Sequence, residues 1–309
     1  MARRGPSEWF LLSEAFAPST RSKYERGVAD FLSWCAASRE SATTPAELDL
    51  LLTDFTHFLY DSGGSKDTAK CAYYGILMYL PQLQHQLPTA ALARRGWFRK
   101  HPPTPYPPLS WHLTVALASW LHTNVAAPLA IGVLLAFDCY LRLGELLNLR
   151  KEDVSVPGDV RLERGYPDMA LALRHTKTGP NKSVVVADPA LRALVLQLVA
   201  ATGDGQLLFP YSPSYFRSVF RAGAAALGLS PLYVPHSLRH GGATRDHMRG
   251  YPLEDILARG RWASTQSARR YVQAGRALLL AMRTPPAVAA LGAVVSEALL
   301  LAFSLPQWH

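Results

Sequence analysis

The chain has 309 residues, 49% of them apolar, which suits two domains of ordinary size with true cores and excludes wholesale disorder. Lysine and arginine outnumber aspartate and glutamate by 32 to 23, and the resulting formal charge of +9 is spread along the chain, a balance that favours a polyanionic partner. Cys35, Cys71 and Cys139 are odd in number and far apart, so they exclude a disulfide framework or CxxC metal site and read as small buried apolar residues in a reducing compartment.

The N-terminal stretch MARRGPSEWFLLSEAF has too short an apolar run for a secretory signal, so an intracellular protein is expected. Residues 18–35 place Tyr24, Val28, Phe31, Leu32 and Cys35 at helical spacing, with Arg21, Lys23 and Arg26 among the remaining positions. Thr44-Pro45-Ala46-Glu47 reads as a helix start: a threonine cap, proline at the first position and glutamate closing a capping box. The helix it opens carries Leu48, Leu51, Leu52, Phe55, Phe58 and Leu59 on one face and ends at Asp61-Ser62-Gly63-Gly64. Helices over roughly 66–80 and 88–97 complete a small helical domain, 1–97.

The segment 98–110, FRKHPPTPYPPLS, holds five prolines and reads as a stiff extended linker, because proline continues neither a helix nor a central strand. A second domain, 111–284, opens with apolar helices near 110–122 and 126–138 and another around 141–149. Short β-like runs follow at Asp159–Leu162, Met169–Leu173 and Ser183–Val186, with turn residues Thr178-Gly179-Pro180-Asn181 between the last two. Helices return from about 188. The tail, 285–309, carries an apolar helix over 287–303 that is too short for a confident membrane span and must be buried, on its own domain or on a neighbouring protomer.

Four segments of the second domain carry candidate chemistry. Arg142 and Glu145 are three apart, on one helix face among apolar residues, where a buried charge calls for a partner. Lys177 sits near the tip of the predicted hairpin, with Lys182 across the turn and His175 nearby. His236 and Arg239 share a helix face and could address one phosphate. Trp262 and Tyr271 follow in one box, the tyrosine being a nucleophile if neighbouring charge activates it. Each alone has an ordinary structural reading: an ion pair that knits helices, a solvated turn lysine, a core histidine, a core tryptophan.

Taken in order, Arg142, Lys177, His236-x-x-Arg239, Trp262 and Tyr271 resemble the tyrosine recombinase (phage integrase) family. LRLGELLNLRKEDV is similar to its first-arginine box, PHSLRHGGAT to its HxLRH box, and GRWASTQSARRYV to its final histidine-or-tryptophan-to-tyrosine box. The likeness covers about 110–275, and 18–97 looks like the family's helical core-binding domain. The chain departs from the common pattern at Cys139-Tyr140, where many members have Thr-Gly, and at Trp262, where many have histidine. Its Gly-Arg-Trp form resembles recombinases of eukaryotic mobile elements of the DIRS or crypton kind.

The resemblance implies a fold that is mainly α with a small antiparallel β-sheet: an N-terminal helical (SAM-like) core-binding domain and an α+β integrase-like catalytic domain. It implies site-specific DNA strand transfer in which Tyr271 forms a 3′-phosphotyrosyl link, without metal, ATP or other cofactor. Arg142 and Arg239 would hold the non-bridging oxygens, and Lys177, with Lys182 as competitor, would protonate the departing 5′-oxygen. His236 would assist proton transfer or hold the phosphate, Trp262 would bond the phosphate or position the tyrosine, and Glu145 would orient Arg142. Arg21, Lys23, Arg26, Arg94, Arg95, Arg99 and Lys100 would meet phosphates of double-stranded DNA, with a homo-tetramer on two duplexes, no membrane and no small-molecule substrate. The alternatives are a DNA-binding relative without catalysis and a type IB topoisomerase-like relaxing activity. The nucleus is expected if the host is eukaryotic, and the cytoplasm or nucleoid otherwise.

Overall fold

The computed structural model describes residues 15–102, 106–158, 168–176 and 179–304. The chain divides into two compact units between Thr104 and Pro105. The first holds α1 (Pro18–Ser38), α2 (Pro45–Asp61), α3 (Lys66–Tyr79), a 3-10 turn (Pro81–Leu83) and α4 (Pro88–Lys100). The expected capping box opens α2: the Thr44 hydroxyl accepts the Glu47 N–H at 3.2 Å, and the Glu47 carboxylate accepts the Thr44 N–H at 3.1 Å. Helix α1 packs on α3 and α2 on α4 around Phe31, Leu52, Phe55 and Ile76. Leu32 and Phe58, placed on the buried faces by their spacing, are exposed, because each sits at the edge of its helix's apolar stripe. Helix α4 runs to Lys100, three residues into the stretch read as linker. The first proline is Pro102, and only the residue before it, His101, is turned out of helical geometry.

The second unit contains α5 (Trp111–Asn124), α6 (Ala127–Asp138), α7 (Leu143–Leu147), β1 (Ala170–Thr176), β2 (Gly179–Val185), α8 (Pro189–Ala201), α9 (Pro213–Ala226), α10 (Pro235–Met248), α11 (Leu253–Gly260), α12 (Thr265–Arg269), α13 (Ala274–Ala281), α14 (Pro286–Glu297) and α15 (Leu299–Phe303). Every residue of α6 from Leu129 to Asp138 is buried, as its unbroken apolar sequence requires, and α5, α8 and α10 pack against it. The expected architecture, mainly helical with a small antiparallel sheet, is the one observed.

Among the described residues the sheet is one hairpin, paired from Ala170↔Val185 to Thr176↔Gly179. Its strands run further toward the turn than the expected 169–173 and 183–186 and leave out Met169 and Val186, since Gly179, Pro180 and Asn181 belong to β2 rather than to a turn. The strand expected at 159–162 lies outside the described residues. The apolar tail folds back on its own unit: α14 lies along α5, and Leu299 and Phe303 are buried in the core. Among the described residues no helix is long and apolar enough to cross a membrane.

Candidate active site

Helix α6 ends at Asp138, and the chain turns through Tyr140, a non-glycine residue in the left-handed region (φ 48°). Arg142 therefore arrives as the residue capping α7, not inside a helix as its spacing to Glu145 suggests. The Glu145 carboxylate accepts the Arg142 backbone N–H at 2.9 Å and its Nη1 at 2.5 Å. The expected pair exists. An i,i+3 spacing serves a cap as well as a helix face, and here the cap wins.

Helix α10 brings the second arginine. Pro235 occupies its first position, where a fixed φ is compatible with helix. Gly241 and Gly242 let it close on the preceding elements: a Cβ on Gly241 would run into the Leu109 carbonyl, and one on Gly242 into the Phe137 carbonyl. That approach buries Arg239 completely, and it donates to the carbonyls of Tyr140 and, at 2.5 Å, Gly260. Its guanidinium carbon lies 4.7 Å from the Trp262 ring centre and 5.3 Å from that of Tyr271.

The third piece is the turn Gly260-Arg261-Trp262 after α11. The indole lies so close over Gly260 that a Cβ there would occupy its place. Arg261 is left-handed (φ 55°) and its side chain is buried. Its Nη2 donates to the Tyr140 carbonyl at 3.0 Å and to Glu145 Oε2 at 2.9 Å, while Nη1 donates to the carbonyls of Cys139 at 3.3 Å and Arg259 at 3.0 Å. Tyr271, just past α12, stacks on His240 with ring centres 4.5 Å apart, tilts against Trp262 at 4.6 Å and meets His236 edge-on at 5.5 Å.

Three arginines thus surround one carboxylate. Burial alone would raise the Glu145 carboxyl, but the Arg142 N–H and the guanidinia of Arg261, Arg142 and Arg239 outweigh it and hold it below the usual carboxylate range. Burial, with the positive charges of Arg142 and Arg261, pushes the Arg239 guanidinium down. Arg239 Nε, Arg261 Nε and Trp262 Nε1 are buried donors without an acceptor. A site with surplus positive charge and unmet N–H groups suits an anion.

His240 closes the floor beneath Tyr271. The Gln273 amide is oriented by donating to the Tyr106 carbonyl at 3.1 Å and accepting from Arg276 Nη1 at 3.1 Å, so at 2.8 Å it donates to His240 Nδ1. The ring is therefore neutral, its proton on Nε2. Burial and the neighbouring His236 push its pKa down to about 3, against the pull of the Tyr271 carbonyl.

A second charged cluster lies next to the first. Asp138 meets Arg245 at 3.3 Å and Arg259 at 3.0 Å, and Asp246 meets Arg245 at 2.9 Å. Asp138 also accepts the Ala187 N–H at 2.9 Å, and the Tyr140 hydroxyl donates to Asp246. Tyr140 joins the two clusters, its carbonyl serving the first and its hydroxyl the second.

The structure therefore brings together Arg142, Glu145, His236, Arg239, Trp262 and Tyr271. Lys177 lies outside the described residues, and Lys182, opposite Leu173 in the hairpin, is exposed. Of the basic residues read as DNA contacts, Lys23 and Arg26 on α1 and Arg95, Arg99 and Lys100 on α4 are exposed, and Arg21 is half-buried. Arg94 is half-buried and lies over Tyr73 at 4.2 Å and Tyr74 at 4.6 Å. Reading residues by type missed Arg261, His240, Gln273 and Tyr140. Only His240 had a signal, standing one helical turn after His236.

Compared with known proteins, the pattern described as the Phage integrase family matches residues 115–277. The tyrosine recombinase XerC of Methylobacterium sp. (strain 4-46) is 27% identical over 297 residues, covering 85% of this chain and 88% of the relative. The XerC of Methylobacterium nodulans is also 27% identical, covering 85% and 87%. Among solved structures, the Tn1549 transposon integrase in complex with transposon right end DNA aligns with a TM-score of 0.63 at 12% identity, covering 87% of this chain and 95% of that one. The XerH site-specific recombinase bound to difH substrate, in a pre-cleavage complex, aligns with a TM-score of 0.56 at 16% identity, covering 82% and 75%.

Proposed function

We infer the reaction from the family: the chain belongs to the phage integrase family and is a tyrosine-type site-specific DNA recombinase. The observation that carries the assignment to particular residues is the meeting of Arg142 and Arg239 at one carboxylate, with Trp262 and Tyr271 against the Arg239 guanidinium and buried N–H donors left unmatched.

In this reading Tyr271 Oη attacks a DNA phosphorus, the bond from phosphorus to the 5′-oxygen breaks, and a 3′-phosphotyrosyl link forms. Attack by the 5′-hydroxyl of a second strand reverses the step and releases the tyrosine, so the bond energy is kept. Arg142 and Arg239 hold the non-bridging oxygens, where a guanidinium fork suits the growing charge, and Trp262 Nε1 adds a donor. His236, whose ring meets that of Tyr271 edge-on, accepts the phenolic proton or holds the phosphate. The general acid for the leaving oxygen comes from the hairpin, Lys177 being first choice and Lys182 second. Helices α1 and α4 grip duplex phosphates through Arg21, Lys23, Arg26, Arg95, Arg99 and Lys100. Recombination between two duplexes calls for a homo-tetramer, and the exposed Leu278, Leu279 and Met282 at α13 offer an apolar face for a neighbouring copy.

Covalent trapping tests this reading. A nicked duplex drawn from DNA flanking the coding sequence is incubated with wild type and with Tyr271→Phe. A protease-sensitive adduct that forms with wild type and vanishes in the variant is the expected result. An adduct that survives the substitution places the nucleophile elsewhere, and tight salt-dependent binding without any adduct rejects catalysis.

A further inference from the structure

We propose that Arg261 is a positioning residue for the arginine pair, occupying Glu145 and the Tyr140 carbonyl so that Arg142 and Arg239 keep N–H groups for the phosphate. The proposal rests on the reading of the site as a phosphodiester-binding centre.

Its backbone is the first sign. Arg261 is a left-handed residue in a turn where glycine would cost less, so its side chain is what this position gains. That side chain, with a relative exposure of 3%, spends its Nη1 and Nη2 donors on Glu145 and on the carbonyls of Cys139, Tyr140 and Arg259, unlike the exposed arginines of α1 and α4.

The second sign is how the acceptors are shared. Glu145 Oε1 takes Arg142 Nη1 at 2.5 Å, while Oε2 takes the Arg142 N–H at 2.9 Å and Arg261 Nη2 at 2.9 Å. Arg239 Nη1 stands at 3.9 Å from the same Oε2, beyond hydrogen-bond range. Arg261 also shares the Tyr140 carbonyl with Arg239. Removing Arg261 leaves Glu145 Oε2 with the Arg142 N–H as its one donor, opening a place for Arg239, and leaves the carbonyls of Cys139 and Arg259 without their guanidinium donor. Arg239 then closes on Glu145, and its fork turns from the phosphate to the carboxylate. An ångström of misplacement in such a group costs about 100-fold in rate.

Single-turnover cleavage of the nicked duplex at saturating DNA separates this role from others, compared across wild type, Arg261→Gly and Arg261→Lys with the dissociation constant and circular dichroism of each. Expected for Arg261→Gly are native dichroism, DNA affinity within about twofold of wild type and cleavage slowed about 10- to 100-fold. Arg261→Lys recovers part of the rate, because an ammonium still reaches Glu145. A folded Arg261→Gly that cleaves at the wild-type rate overturns the proposal, as does a loss of rate matched by an equal loss of binding. If Arg261→Gly does not fold, Arg261→Lys decides alone: an unchanged rate rejects the role. Should wild type bind DNA yet form no adduct, the functional reading falls, and the coupling between Arg142→Ala and Glu145→Gln in thermal unfolding tests the positioning itself. Equal coupling with and without Arg261 overturns it.

Discussion

The two charged clusters on either side of Tyr140 are built from the same residue types and behave differently. In the one around Asp138 and Asp246, two carboxylates face Arg245 and Arg259, and none of their buried side-chain donors or acceptors is left without a partner. In the one around Glu145, a single carboxylate faces Arg142, Arg239 and Arg261, and two of those arginines retain buried N–H groups without acceptors. Burial disfavours charge in both. The neighbouring carboxylates outweigh it at Arg245, raising that guanidinium, whereas Arg239 next door is lowered by burial and by its fellow cations. A balanced network locks a fold. An unbalanced one holds back part of its hydrogen bonding, which suits an anion.

The sharpest way to break that contrast is to remove one arginine from the unbalanced cluster. Arg239→Met keeps much of the volume while relieving cation–cation repulsion, so strand cleavage should fall by about 100- to 1,000-fold with the melting temperature nearly unchanged. A melting temperature that collapses with the rate would erase the distinction between the clusters. The converse change is Asp138→Asn in the balanced cluster. Breaking a buried, paired charge costs about 3 kcal/mol, so denaturant unfolding should register that loss while cleavage in the folded fraction persists. The smallest effect is a slope. His240, ordinarily near 6.5, is pushed down to about 3 in the fold, so between those values the unfolded chain binds a proton that the native site refuses. This contribution is complete above pH 6.5 and is lost on acidification at up to about 1.4 kcal/mol per pH unit. His240→Gln should flatten the low-pH fall in stability measured by urea titration by that amount, and an identical slope would mean that the imidazole protonates in the fold.

The boxes that identify the family were legible because each lies within a few residues: Arg142 with Glu145, His236 with Arg239, Trp262 with Tyr271. So was the start of α2, whose cap is a matter of four adjacent side chains. What escaped the sequence depends on distance or on backbone angle. Arg261 touches Glu145 across more than a hundred residues and does so from a left-handed turn, neither of which a pattern of residue types records. The Arg142–Glu145 spacing was read as a helix face and proved to be a cap, two arrangements with the same period. Gly179-Pro180-Asn181 carried turn chemistry, yet hairpin pairing drew all three into β2. The direction in which the apolar tail folds could not be read at all, because an all-round apolar helix names no partner. Its place on α5 is settled where Gly292 meets the His112 backbone, a contact with room for no side chain.

The indole of Trp262 is flanked by the Arg239 guanidinium and the Tyr271 phenol. An indole's emission follows the charges and dipoles around it, so this one changes colour and yield whenever the phenol lifts or a phosphate approaches Nε1. Subtracting the spectrum of a Trp262→Phe variant isolates it from the other tryptophans in a chain that holds seven. The centre thereby carries its own optical label, and a rearrangement around Tyr271 can be followed in real time without attaching a dye.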